Sequence, residues 1–164
     1  MQKITPCLWF DHDAEQAAKF YTSIFKRSKI VRTTRYGKEG YAIHGRKAGT
    51  VMTVTFRLDG QEFMALNGGP VFTFNEAVSF IVHCNTQQEV DYYWDRLSGG
   101  GKKGVCGWLK DKYGVSWQIV PRVLGRMIKG HGTTKSERVM KALLRMRKLD
   151  IQTLRRAYEL KSGK

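Results

Sequence analysis

Residues 10–25 read FDHDAEQAAKFYTSIF and residues 82–97 read VHCNTQQEVDYYWDRL. The two stretches align without a gap: Asp13 falls over Asn85, Phe20-Tyr21 over Tyr92-Tyr93, and Phe25 over Leu97. Each reads as the end of a strand, a capping residue and an amphipathic helix. One strand-helix unit therefore occurs twice, and a repeat of this kind decides the architecture. It predicts a pseudo-symmetric domain with its site between the copies.

Around the first copy, Ile4–Phe10 (ITPCLWF) is strand-like. Asp13 with Gln16 predicts a capping box, and Ala17, Phe20, Tyr21, Ile24 and Phe25 keep helical spacing as a buried stripe. Lys29–Tyr36 reads as a strand, and Gly37, Gly40, Gly45 and Gly49 space out a loop. Thr50–Leu58 alternates, with Met52, Val54, Phe56 and Leu58 on one face and Thr53, Thr55 and Arg57 on the other, the period of a half-buried strand. Asp59-Gly60 is a hairpin signal leading into Gln61–Leu66, and Asn67-Gly68-Gly69-Pro70 closes the unit.

The second copy opens with Ala77–Cys84, apolar apart from Ser79 and His83. Thr86 and Glu89 predict a capping box for a helix that buries Val90, Tyr93, Trp94 and Leu97 and ends at Ser98-Gly99-Gly100-Gly101. Short strands around Val105–Lys110 and Val115–Val120 follow, joined at Lys112-Tyr113-Gly114. Both halves thus read βαβββ, with one strand of the second unassigned. Beyond Pro121, the pattern predicts a short helix over Leu124–Lys129. A third capping box follows at Thr134 and Glu137, ahead of a stripe of Val139, Met140, Leu143, Leu144 and Met146. Asp150 then caps a helix carrying Ile151, Leu154 and Tyr158. The expected fold class is α+β: two βαβββ modules, about 1–70 and 75–122, forming an open cup-like mixed sheet, plus C-terminal helices. Residues 1–122 make the paired domain, and 123–164 a basic helical tail packed on it or on a dimer partner.

The 164 residues carry 29 Lys and Arg against 14 acids, a net charge of +15. The charge is uneven: residues 1–122 hold 17 bases against 11 acids, and residues 123–164 hold 12 against 3. Such a surplus suits an anionic partner or a solvated helical face, and nucleic acid at the tail is an alternative rather than the favoured partner, since no nucleic-acid motif accompanies it. No apolar run approaches the roughly 18 residues of a membrane span, and the N-terminus lacks a secretory pattern. Cys7, Cys84 and Cys106 are an odd number in strand-like segments, which predicts a reducing, cytoplasmic setting.

A doubled βαβββ unit resembles the vicinal oxygen chelate superfamily, which includes glyoxalase I, extradiol dioxygenases, fosfomycin-resistance enzymes and bleomycin-binding proteins. The stretches ITPCLWFDHDAEQAAKFYTSIF, VMTVTFRLDGQEFMALNGGP, AVSFIVHCNTQQEVDYYWDRL and CGWLKDKYGVSWQIVP are similar to its PhnB-like branch, often labelled 3-demethylubiquinone-9 3-methyltransferase-like. RVMKALLRMRKLDIQTLRRAYE resembles the tails of that branch. The resemblance implies a cup in which metalloenzymes of the superfamily hold an ion by four ligands, usually His or Glu. One ligand comes from the first strand and one from the last strand of each unit. Those corners map to Pro6, Met64, Val78 and Gln118. A slip of one residue adds Thr5, Cys7, Phe63, Ala65, Ala77, Ser79, Trp117 and Ile119, none of them His, Asp or Glu. No metal and no other cofactor is expected, because divalent-ion catalysis needs about three such ligands. The histidines, His12, His44, His83 and His131, are scattered. Methyl transfer from S-adenosylmethionine is not expected either. A Rossmann-type site needs a glycine-rich turn opening a helix, and neither glycine cluster does so.

Strand parity counted from the same corners predicts a mainly apolar cup lined also by Leu8, Phe10, Leu66, Val82, Ser116 and Val120. Cys7, Trp9, Ile81 and Trp117 are then expected under the helices. The candidate ligand-binding residues are Thr53, Thr55, Arg57, Met64, Phe80 and Gln118. They suit an unidentified small molecule, anionic if Arg35 and Arg57 stand at the rim. No catalytic residue is assigned. Glu62 is the one carboxylate of suitable parity for an enzyme of the lyase, isomerase or dioxygenase type, and Cys7 lacks a nearby His in the sequence. The apolar tail helices predict a homodimer.

Overall fold

In the first unit, β1 (Cys7–Phe10) is followed by α1 (Ala14–Ile24), β2 (Lys29–Arg35), the short α2 (Tyr41–His44), β3 (Val51–Leu58) and β4 (Gln61–Asn67). The sheet order is β1-β4-β3-β2, with β1 parallel to β4 and the other pairs antiparallel. The computed structural model describes residues 3–129 and 132–160, so His131 lies outside the described residues. Two compact units divide the chain, Met1–Phe74 and Asn75–Lys164.

Alternation in β3 sets the first core. Val54, Phe56 and Leu58 are buried, and Phe56 stacks on Tyr21 of α1 with ring centroids 6.1 Å apart. Ala14, Ala17 and Ala18 are fully buried and bring the helix close to the sheet. The expected capping box at Asp13 does not form, since its side chain makes no cap hydrogen bond. Instead Asn67, at the end of β4, accepts from Ala14 N through Oδ1 (2.8 Å), while its Nδ2 donates to Val51 O (3.1 Å). The free helix donor is thus satisfied by the sheet that the helix covers. Asp59 and Gly60 have φ of 48° and 89°, the left-handed pair that a two-residue hairpin turn requires.

The second unit repeats the plan with β5 (Phe80–Cys84), α3 (Gln87–Ser98), β6 (Lys102–Lys103), β7 (Trp108–Lys110) and β8 (Ser116–Pro121), in the order β5-β8-β7-β6. The two mixed, unclosed sheets and their helices make the fold α+β. β6 is the strand that the pattern left unassigned: two lysines are too few to carry a period of two. Thr86 caps α3 as expected, with Glu89 N donating to Thr86 Oγ1 (3.2 Å), while the Glu89 carboxylate reaches back one residue further to accept from Asn85 N (2.6 Å). Val90, Trp94 and Leu97 are buried beneath it.

The β7–β8 turn is organised by Asp111, which is only 3% exposed. Its Oδ1 accepts from Tyr113 N (2.8 Å) and Val115 N (3.1 Å), and its Oδ2 from Trp117 Nε1 (2.8 Å).

The tail belongs to the second unit as α4 (Arg122–Ile128), α5 (Thr134–Leu143) and α6 (Ile151–Glu159). Leu124, Met127, Val139, Leu149, Leu154 and Ala157 form its core. Thr133, one residue before the expected Thr134, caps α5, while Asp150 caps α6. Met140 and Leu144, expected in the apolar stripe, are exposed. The Gln87 amide accepts from Ile151 N (2.9 Å) and donates to Leu149 O (3.2 Å), clamping the start of α6 to α3. Cys106 N and Gly107 N donate to Met146 O and Arg147 O, both at 2.8 Å. Gly107 has φ of 83°, and a Cβ there would stand 2.8 Å from Ile119 O, so the close approach requires glycine. Among the described residues no helix is long and apolar enough to cross a membrane.

Replacing Asp111 by alanine leaves two backbone donors and an indole donor without their acceptor. We expect a loss of about 2–4 kcal/mol, read as a lower urea midpoint at unchanged slope.

Candidate functional site

Because Val54, Phe56 and Leu58 face α1, the alternate residues of β3 face away from it. The ladder registers arrange that open face in rows. Nearest the Asp59-Gly60 turn stand Lys29, Arg57 and Glu62. Next come Arg32, Thr55, Met64 and Cys7, and then Thr34, Thr53, Leu66 and Trp9. Arg32 owes its place to a β-bulge. Pairing passes from Ile30–Phe56 to Arg32–Thr55, so Val31 is extra, and strict alternation would have set Arg32 on the helix side.

At the centre, Thr34 and Thr53 share a hydrogen bond of 2.6 Å between their hydroxyls, and Thr55 is buried. Arg57 Nη2 lies 3.3 Å from Glu62 Oε2, a loose contact for an exposed pair. Trp9 closes one side. Its indole donates to Gly69 O (2.9 Å) and its ring meets Phe72 edge-on at 5.1 Å. A Cβ at Gly68 would stand 2.2 Å from the Trp9 ring, so glycine is what lets the indole lie there.

Four of the six candidates, Thr53, Thr55, Arg57 and Met64, therefore share the first sheet's open face. Gln118 lies on the corresponding face of the second sheet, its Nε2 donating to Ser79 Oγ at 2.9 Å. Phe80 is a correction. It pairs with Trp117 on the α3 side, ring centroids 5.4 Å apart. The same one-residue slip affects both first strands. Leu8 and Phe10, expected in the cup, are buried beside Ala65 and Asn67, and Val82 is buried beside Ile119. Cys7, Trp9 and Ile81, expected under helices, take the open faces. Counting parity back from the helix cap crosses Asp11–Asp13 and Asn85–Thr86, which are not strand and keep no alternation. His83, the polar residue of Phe80–Cys84, marks the water-facing parity of β5 and was the available signal. Nothing comparable distinguishes the faces of CLWF. Arg32 was missed because the bulge breaks the period, whereas Lys29 is placed by its pairing with Arg57 and not by any signal within its own strand.

The first and last strands present Cys7, Trp9, Glu62, Met64 and Leu66 on the first open face, and Ile81, His83, Ser116, Gln118 and Val120 on the second. Among the described residues no three His, Cys, Asp or Glu side chains gather to hold an ion. The donors present do not fit a divalent-metal site. The passages from β1 to α1 and from β5 to α3, Asp11–Asp13 and Asn85–Thr86, contain no glycine, so they do not fit the phosphate- or nucleoside-cradling turn of a Rossmann site either. Burial pushes the Cys7 thiol up from its ordinary value, and pushes that of Cys84 up to about 12. Both thiols are therefore protonated at neutral pH.

In comparisons with known proteins, residues 2–120 match the family described as 3-demethylubiquinone-9 3-methyltransferase. The PhnB protein of Bacillus cereus is 42% identical over 73% of this chain and 99% of that one, with a TM-score of 0.65. Protein PA1353 of Pseudomonas aeruginosa is 15% identical over 74% and 98%, with a TM-score of 0.58. A manganese(II) complex of the fosfomycin resistance protein FosX of Listeria monocytogenes is 14% identical over 73% and 92%, at 0.51. The last two likenesses establish a shared fold alone. No curated protein matches the chain. Residues beyond 120 lie outside the family match.

Alkylation by iodoacetamide at pH 7 should be slower at Cys7 than in free cysteine, and should spare Cys84 until the protein is unfolded. Peptide mass spectrometry over a time course reads both, and alkylation of Cys7 faster than of free cysteine would give it the reactivity of a nucleophile.

Proposed function

We propose, for a chain that belongs to the PhnB-like, 3-demethylubiquinone-9 3-methyltransferase family of the vicinal oxygen chelate superfamily, that its function is to bind a small anionic molecule without a metal ion. One observation carries this reading. The first sheet's open face sets hydroxyls of Thr34, Thr53 and Thr55 and the Met64 side chain beside three cations, Lys29, Arg32 and Arg57, with Glu62 as the acid in the same rows. Hydroxyls can donate to an oxyanion, guanidinium groups can grip it in two places, and the Met64 thioether can pack against an apolar part. Gln118 is proposed as a ligand contact of the second unit's own open face.

Neither activity suggested by the family's name or its fold neighbours is favoured. Methyl transfer lacks the glycine-rich turn, and among the described residues metal-assisted chemistry lacks the ligand cluster. We also propose that the chain works as a homodimer. Ile43, 91% exposed, and Phe72, 61% exposed, are apolar surface that a second copy would cover.

Inorganic phosphate and methylphosphonate, titrated into protein treated with EDTA, should shift the backbone amide signals of Thr53 and Thr55 saturably. Arg57→Ala should weaken that binding roughly tenfold, the range of one charge-assisted hydrogen bond. Binding that appears only on adding a divalent metal would overturn the reading. Light scattering at micromolar concentration should return twice the 18.8 kDa chain mass, and a value near one chain would remove the dimer.

A further inference from the structure

The second sheet carries an electrostatic conflict that the ligand reading of the first sheet does not use. β6 and β7 pair Lys102 directly with Lys110, and β7 and β8 pair Lys110 with Ser116. Like charges opposite one another on neighbouring strands destabilise a sheet. The equivalent row of the first unit, Lys29, Arg57 and Glu62, has the same cation pair, but its third position is a carboxylate. Ser116 holds that position in the second unit. The missing charge comes from outside the sheet. Glu76, on the loop before β5 and largely exposed, places Oε1 2.7 Å from Lys110 Nζ.

These lysines edge a cleft of about 470 Å³, within the range of small-molecule pockets. It is lined by Trp108, which shares the open face with Gln118, and by Gly104 and the exposed Val105. Gly104 N donates to Trp108 O (2.8 Å), and a Cβ on Gly104 would stand 2.8 Å from that same oxygen, so glycine is what lets the two backbones approach at this end of the cleft. An apolar wall beside a cation pair whose counter-ion is borrowed from a loop suits one kind of guest: a flat apolar body bearing a carboxylate.

We propose that this cleft binds a small aromatic carboxylic acid, its carboxylate replacing Glu76 at Lys110 and Lys102 and its ring lying against Trp108 and Val105. The Lys110 hydrogen bond, followed by smaller effects that include the charge of Lys102, holds the Glu76 carboxyl below its usual range, so this place already favours an ionised carboxylate. The inference goes beyond the first-sheet reading and does not rest on it, because residues, guest and readout all differ.

The test uses the full chain and 1-naphthoate, followed by the indole N–H signal of Trp108, assigned with Trp108→Phe. 1-Naphthoate should shift that signal saturably, and the neutral isostere 1-naphthamide should bind at least about tenfold more weakly. Lys102→Gln should weaken 1-naphthoate roughly fivefold, and Glu76→Gln should tighten it several-fold by removing the internal competitor. Both variants alter exposed side chains, so circular dichroism should show both to be folded. Equal affinity for the amide, an unchanged or weaker affinity in Glu76→Gln, or perturbation of the other indoles without that of Trp108 would each overturn the proposal. Phosphate binding read at Thr53 and Thr55 can persist or fail independently.

Discussion

Each unit depends on its first strand lying parallel to its last. β1 pairs with β4 and β5 with β8, whereas every other neighbouring pair is antiparallel. Parallel neighbours cannot be joined by a tight turn, so the chain must cross the sheet between them, and the helix after the first strand makes that crossing. One long crossover helix per unit covers one face. The two chemistries of β3 follow: Val54, Phe56 and Leu58 lie under α1, while Thr53, Thr55 and Arg57 stand on the side it leaves bare. Fully burying a side chain such as Val54 or Phe56 contributes roughly 1.5–3 kcal/mol. A one-residue slip of β3 would exchange that for buried threonine and arginine, so the register is strongly fixed. The open face is a consequence of how the strands are connected.

Within that common plan the copies solve the same local problems differently. The N-terminus of α3 is capped locally by Thr86, with Glu89 beside it, whereas that of α1 is capped across the unit by Asn67. The position matching Asn67 at the end of β8 is Pro121, which has no donor or acceptor in its side chain and leads into α4. The tight turn of the first unit relies on backbone conformation at Asp59 and Gly60, that of the second on the buried carboxylate of Asp111. A local signal is therefore reliable only where the partner is also local.

That distinction explains what could be read from the chain. The repeat, the helices, the β3 alternation and the Asp59-Gly60 hairpin are encoded within a few residues each, and periodicity or turn chemistry finds them. Asn67 as a cap is not local, because it lies 53 positions from the amide it accepts from. β6 is formed by two lysines whose strand character comes wholly from pairing with β7. The faces of β1 and β5 could not be counted across non-strand residues, which moved Phe80 out of the candidate site and brought Trp9 to the first open face. Arg32 reaches that face only through a bulge, a feature of the ladder and not of one strand's pattern. The four candidates on the first sheet were legible because β3 and β4 meet at a hairpin whose register follows from its turn.

The charges near the two hairpin turns explain why duplication need not duplicate function. Both units keep a cross-strand cation pair, which is unfavourable unless an anion stands beside it. In the first unit the sheet itself supplies Glu62 next to Arg57, so that row is already balanced before a guest reaches the hydroxyls and the cations beside them. In the second, Ser116 cannot compensate, and Glu76 does so from a loop. A counter-ion on a strand is held by the ladder on either side, whereas one on a loop is held chiefly by its own ion pair and by whatever orders the loop. An arriving carboxylate need only exceed that weaker hold, and it loses less conformational freedom if it is rigid and carries its own apolar contact. The replacement of one acidic strand residue by serine is enough to turn an internally neutralised row into one that an outside anion can complete.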